Sequence, residues 1–150
     1  MNYTQFFTDS MAMTIADALA RAGIDLPVYG QVTDPVEEHD RIEVRCESVE
    51  ELIPGNYTTR LACSVVLLLS SGSNTAVEVE TIAELVGAVV RDVLNRPWRH
   101  TPLADPRAET DAEYERDPFI VLDLVPEPAN TETDDTAYEM AMDFRAYVQF

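Results

Sequence analysis

Two stretches of alternating residues meet at Pro54-Gly55-Asn56, and no other feature constrains the fold as much. Before this turn, Ile42, Val44 and Cys46 share one parity, and Arg41, Glu43, Arg45 and Glu47 the other. After it, Tyr57, Thr59, Leu61, Cys63, Val65 and Leu67 alternate with a set that begins polar (Thr58, Arg60, Ser64) and ends apolar (Val66, Leu68). Successive strand residues point to opposite faces, so period-two patterning on both sides of a turn predicts an antiparallel hairpin. The apolar end of the second strand predicts a region of sheet covered on both faces. Symmetric pairing about the turn places Cys46 opposite Tyr57 or Thr58. Cys63 then lies several residues further on, beyond disulfide reach. Both cysteines are read as buried thiols packing as small apolar groups, with no demand for an oxidising compartment.

The other segments complete an α-β-β-α-β-β order. Thr8-Asp9-Ser10 offers N-cap residues ahead of Met13, Ile15, Leu19 and Ala20, and Gly23 fits a C-terminal cap. The pattern predicts a helix over 9–22, extended by up to a turn through Tyr3, Phe6 and Phe7. Pro27, Gly30 and Pro35 mark a loop. Thr75 and Glu78 form a capping-box pair for a second helix that runs to Asn95 and stops before Pro97. Its apolar residues fall on two lines, one through Val79, Ile82, Val86, Val89 and Val93, the other through Ala76, Ala83, Gly87, Val90 and Leu94. A helix lying on a sheet needs only one stripe. The second line predicts either another contact, with the first helix or with another subunit, or tight packing of both lines on the helix's own sheet.

Residues 96–117 carry little periodicity and form a long irregular loop, in which Trp98 either lids the core or inserts into a neighbour. Phe119 to Val125 is apolar at both parities and predicts a central strand. An acidic loop at 126–136 follows. The last strand places Tyr138, Met140, Met142, Phe144, Ala146, Val148 and Phe150 on one face. The expectation is a single α+β domain over residues 1–150, an antiparallel sheet of two hairpins with two helices packed on it.

Charge enters next. The chain has no lysine; its ten basic residues are all arginine, against 28 Asp plus Glu, for a net charge of -18. Such a charge opposes compaction unless the solvent screens it. At about 1 M salt the screening length is roughly 3 Å. The composition resembles that of proteins from extreme halophiles, although an ordinary acidic protein can also lack lysine. No apolar run approaches the roughly 18 residues of a membrane-spanning helix. The segment MNYTQFFTDS has no basic n-region and no apolar h-region, so no secretory signal is expected.

Chemistry-bearing patterns are sparse. His39 and His100 have no metal-ligand spacing to each other or to a cysteine. Cys46 and Cys63 sit at core-facing positions, unlike reactive nucleophiles. There is no glycine-rich phosphate loop. Glu127, Glu132, Asp134 and Asp135 lack the spacing of a calcium loop and read as solvated. The arginines are dispersed among acids, which disfavours binding to phosphates. No catalytic residue, metal site or cofactor is expected, and the chain reads as a non-enzyme.

The layout as a whole resembles the tail-terminator and tail-completion proteins of tailed viruses. The segments that carry the resemblance are MTIADALARAGI, RIEVRCESVEELIPGNYTTRLACSVVLLLSS, TAVEVETIAELVGAVVRDVLN and the final AYEMAMDFRAYVQF. With the salt-adapted composition, it points to a virus of salt-loving archaea. The resemblance implies a virion protein, assembled in the host cytoplasm, that forms a hexameric ring capping the tail tube and joining it to the neck. Its implied partners are other copies of itself, the tail tube protein and a neck or head-completion protein, with DNA passing through unbound and no membrane involved. The expected subunit interface uses Ala83, Gly87, Val90 and Trp98, while Glu132, Asp134 and Asp135 face the lumen or solvent. An adjacent neck or head-completion adaptor, and a soluble acidic DNA-mimic inhibitor, are the alternative readings.

If screening holds the acidic fold together, the melting temperature will rise steeply between about 0.1 M and 2 M sodium chloride. Thermal denaturation across that range checks this, and full stability without salt would remove the halophile reading.

Overall fold

The computed structural model describes residues 3–30, 40–53, 58–70, 76–100, 103, 120–128, 130–133 and 137–149. Three strands of 13 residues dominate it: β2 (Arg41–Ile53), β3 (Thr58–Ser70) and β6 (Ala137–Gln149), preceded in the chain by β1 (Val28–Tyr29). β3 pairs antiparallel with β2 on one edge and with β6 along its whole length on the other. The alternation seen in the sequence becomes a buried face. Ile42, Val44, Leu61, Val65, Leu67, Met142, Phe144, Ala146 and Val148 all belong to one apolar cluster. On the opposite face Val66 is also buried, as its apolar end of the strand implies. At the open end of the hairpin the Ser70 amide donates to Asp40 Oδ1 at 2.8 Å, tying the start of β2 to the end of β3.

The sheet is mixed, not purely antiparallel. β1 runs parallel to β2 in a stretch read as loop, with the Ile42 amide donating to the Pro27 carbonyl at 2.9 Å. A two-residue strand between Pro27 and Gly30 is too short to show alternation. β4 (Ile120–Pro126) is also displaced from its expected central position. It lies at the sheet edge in the order β1-β2-β3-β6-β4, which leaves Ile120 and Val125 exposed. The interior places belong to β2, β3 and β6. The acidic 126–136 stretch is not all loop, because β5 (Asn130–Thr133) pairs with the first half of β6 while β4 pairs with its second half. Pro126, which ends β4 opposite Phe144, and Pro128 just beyond it lack amide donors and interrupt the ladder. The Glu127 amide between them still donates to the Asp143 carbonyl at 2.8 Å.

Cys46 and Cys63 are direct partners, contrary to the sequence expectation. Ile53 pairs with Thr58 at the turn end of the hairpin. Stepping outward along both strands, across register shifts at Ser48/Glu50 and Glu51/Ile53, brings the two cysteines opposite each other.

Both helices lie on the apolar face. α1 spans Tyr3–Arg21, so Thr8, Asp9 and Ser10 are interior positions, not caps. The Thr8 hydroxyl donates to the Thr4 carbonyl at 2.7 Å, and that of Thr14 to the Ser10 carbonyl at 2.8 Å. Bonding back one turn satisfies these hydroxyls inside the helix. Phe7, Met11, Ile15 and Leu19 form its buried stripe. The Asp9 carboxylate accepts from Gln5 Nε2 at 2.9 Å and lies where a Cβ on Gly30 would sit, so a larger residue at 30 would have to displace it.

α2 spans Ala76–Leu94 and touches β3, β4, β6 and α1. Its wide apolar surface is thus shared between the sheet and the first helix. Past its end, Trp98–His100 forms a short 3-10 turn, Trp98 Nε1 donates to the Leu94 carbonyl at 3.4 Å, and Leu103 is buried. The capping-box Thr75, the Pro54-Gly55-Asn56 turn and residues 104–117 of the long loop lie outside the described residues.

α1 stops as its sequence requires. Gly23 has φ 76°, its amide donates to the Ala20 carbonyl at 3.1 Å, and that of Ile24 donates to Leu19 at 2.9 Å. These two bonds define a Schellman cap, and Ile24 packs against the core beside it. A side chain at Gly23 meets no atom but must adopt a left-handed backbone. Gly23→Ala should therefore destabilise the fold by about 1 kcal/mol without altering it, a shift readable in urea denaturation curves.

Candidate functional site

The outward sheet face carries the side chains that the core does not use. Strand register arranges them in rows. Arg45, Ser64 and Asp143 are aligned across β2, β3 and β6, and Glu47, Ala62 and Arg145 form the next row. Opposite charges stand at both ends of each row, and the sign alternates from one row to the next. The middle strand contributes only Ser64 and Ala62. Long charged side chains flanking small ones leave a cleft of about 660 Å³, walled further by Glu127. Arg145 Nε donates to Glu127 Oε1 at 3.2 Å at the rim, beside the segment between β4 and β5. Both members of that pair are exposed, where such pairs contribute little.

One row further, Glu43, Val66 and Ala141 are aligned, and here the face closes. Glu43 is 4% exposed although it carries a carboxylate. Its neighbours two residues away on the same face supply the compensation. Arg41 Nε donates to Oε1 at 2.9 Å, and Arg45 reaches Oε2. Burial by itself would raise the Glu43 pKa, but hydrogen bonds from Arg41 and Arg45 and their positive charges outweigh it and hold the carboxyl below its ordinary value. The period-two spacing is what makes this bridge available to residues 41, 43 and 45.

This face can recognise a polar or charged partner surface through paired hydrogen bonds. Among the described residues no group of three or more His, Cys, Asp or Glu is placed to hold a metal. No helix among them is long and apolar enough to cross a membrane.

The residues expected at a subunit interface lie inside the chain. Ala83 is 6% exposed, Val90 fully buried and Trp98 5% exposed. Gly87 is buried too, with the Arg91 guanidinium folded over it. They form the inner side of α2 and of the turn after it, and Trp98 packs into this chain's own core. The large apolar side chains that α2 turns outward among the described residues are Val77 and Leu85. Glu132 lies on β5 opposite Glu139, while Asp134 and Asp135 are outside the described residues. The cleft escaped sequence reasoning. Its signal was present in the charged parities flanking Ala62 and Ser64, but only strand register brings β6 beside β3.

No family model matches this chain, and no curated protein matches it in sequence. In three dimensions it is similar to a chain from the virion of a native gene transfer agent (GTA) particle, with 13% sequence identity and a TM-score of 0.58. The likeness takes in 95% of this chain and 92% of that one. At this identity it is a likeness of fold.

Glu43 offers a direct test of the outward face. Its depressed pKa means that its contribution to stability is present above the unfolded value and lost as pH falls through the folded value. Glu43→Gln should destabilise the protein by about 1–2 kcal/mol near pH 7, since it leaves two arginines facing a neutral group. That difference should shrink below the ordinary carboxylate pKa of 4.5. Urea denaturation of both proteins in molar salt, near neutrality and well below that value, measures it.

Proposed function

We propose that this chain is a virion structural protein of the tail-terminator or tail-completion type. In this reading, copies of the chain form a ring, hexameric in the family it resembles, that ends the tail tube and joins it to the neck. The observation that carries the proposal is the likeness over nearly the full length of both chains to a component of a gene transfer agent virion. Fold alone does not determine function. The outward faces add support, because they offer surfaces for docking.

A closed ring needs heterologous contacts that repeat around an axis. Two features suit them. α2 presents Leu85 and Val77 to solvent, 53% and 73% exposed, on a helix held from beneath by Ala83, Gly87, Val90 and Trp98. β1 covers β2 only at Ile42 and Glu43, and beyond these residues that edge has no strand partner among the described residues. An open strand edge can accept a segment of a neighbouring subunit. The partners proposed above and below the ring are the tail tube protein and a neck or head-completion protein. The acidic stretch with Glu132, Asp134 and Asp135 is assigned to the lumen or solvent, where a net charge of -18 lets DNA pass without adhering. The missing lysine and acidic surface support a haloarchaeal viral origin. An adaptor in the neck itself is the second reading, since a likeness to a virion component does not distinguish adjacent rings.

Native mass measurement in molar salt should find a closed oligomer, and Leu85→Glu should shift it to monomer with the circular dichroism spectrum unchanged. A strict monomer at high protein concentration would sink the ring. Co-assembly with purified tail tube protein, and not with head-completion protein alone, separates the terminator from the adaptor.

A further inference from the structure

Cys46 and Cys63 face each other across the middle of the β2–β3 ladder. Both are free thiols on the core face, 6% and 5% exposed. Directly opposed residues in an antiparallel pair have Cα atoms about 4.5–5.5 Å apart, inside the roughly 4.4–6.8 Å that disulfides span. The ladder is regular on either side, with Arg45 paired to Ser64 and Glu47 to Ala62, so the backbone already holds the two residues in place.

We propose that Cys46 and Cys63 form a modification site, at which a small-molecule disulfide oxidises both thiols to an intrachain disulfide that fastens β2 to β3. One cysteine, as thiolate, attacks a sulfur of the oxidant, breaks its S–S bond and releases one small thiol. The second cysteine attacks the resulting mixed disulfide and releases the other. The two cysteines lose two protons and two electrons, and the oxidant leaves as two thiols. The folded core restrains this chemistry. Burial first, and then the hydrogen bond and charge of Cys46, push the Cys63 thiol far above its ordinary range, so little thiolate exists in the closed state. With both thiols buried in the finished fold, the link forms after β2 and β3 have paired but before the core closes over them, and is afterwards shielded from reductants.

The test uses the full chain, refolded from urea in molar salt with oxidised glutathione, then denatured, alkylated and weighed. The expected product has lost two hydrogens, takes up no alkylating agent, and yields one peptide pair joining Cys46 to Cys63. Its melting temperature should exceed that of the reduced protein by about 5 °C or more. Cys46→Ser and Cys63→Ser should each show no glutathione-dependent rise. Two alkylatable thiols after refolding, stable glutathione adducts on both cysteines, or links only between chains would each overturn the proposal. Because the readout is on the native sequence, it does not depend on the variants folding.

Discussion

The antiparallel pairing of β3 with β2 on one side and β6 on the other sets the phase of every side chain in the sheet. Register and burial are coupled here. A slip of one residue would turn Leu61, Val65 and Leu67 toward solvent and send Arg60 and Ser64 into the core. Burying one such leucine contributes roughly 1.5–3 kcal/mol, so a slipped register loses that several times over along one strand. Both helices depend on the same phase, because their buried stripes meet side chains that β2, β3 and β6 present together.

The phase also organises the charges. An acidic chain gains little from scattered surface ion pairs, yet the outward sheet face gathers Arg41, Arg45 and Arg145 among its carboxylates. Glu43 is nearly sealed there and is held ionised by two arginines from its own strand. Arginine suits this role because its planar head is weakly hydrated and always charged. The lysine-free composition is therefore put to structural use at this face, whatever the salt of the native environment.

Much of the fold is legible in the sequence where a pattern is long enough to repeat. The three long strands, the second helix and the Gly23 cap all rest on periodicity or on a residue type with one physical reading. Local signals mislead where tertiary context overrides them. Thr8 and Ser10 resemble caps, but Phe6 and Phe7 are buried and carry the helix back to Tyr3. Val121 and Leu124 point inward, while the apolar residues at 120 and 125 lie exposed at an edge, a distinction that composition alone does not make. β1 is too short for any periodicity, and the opposition of Cys46 and Cys63 depends on counting through two irregularities. For the proposed contacts, the helix was recognisable from its surplus of apolar residues. Which of those residues face outward follows only from the position of α1, which takes up the surplus.

The pairing of β3 with β6 joins residues far apart along the chain, from Ser70 with Ala137 to Thr58 with Gln149. During synthesis the apolar strand from Leu61 to Leu69 must therefore wait with one flank open until the distal partner has emerged from the ribosome. Such distant closures fold slowly and leave sticky edges uncovered. Where the salt is too dilute to screen them, the 28 Asp and Glu residues repel neighbouring copies during that interval, so the charge that strains the finished domain also protects the unfinished one.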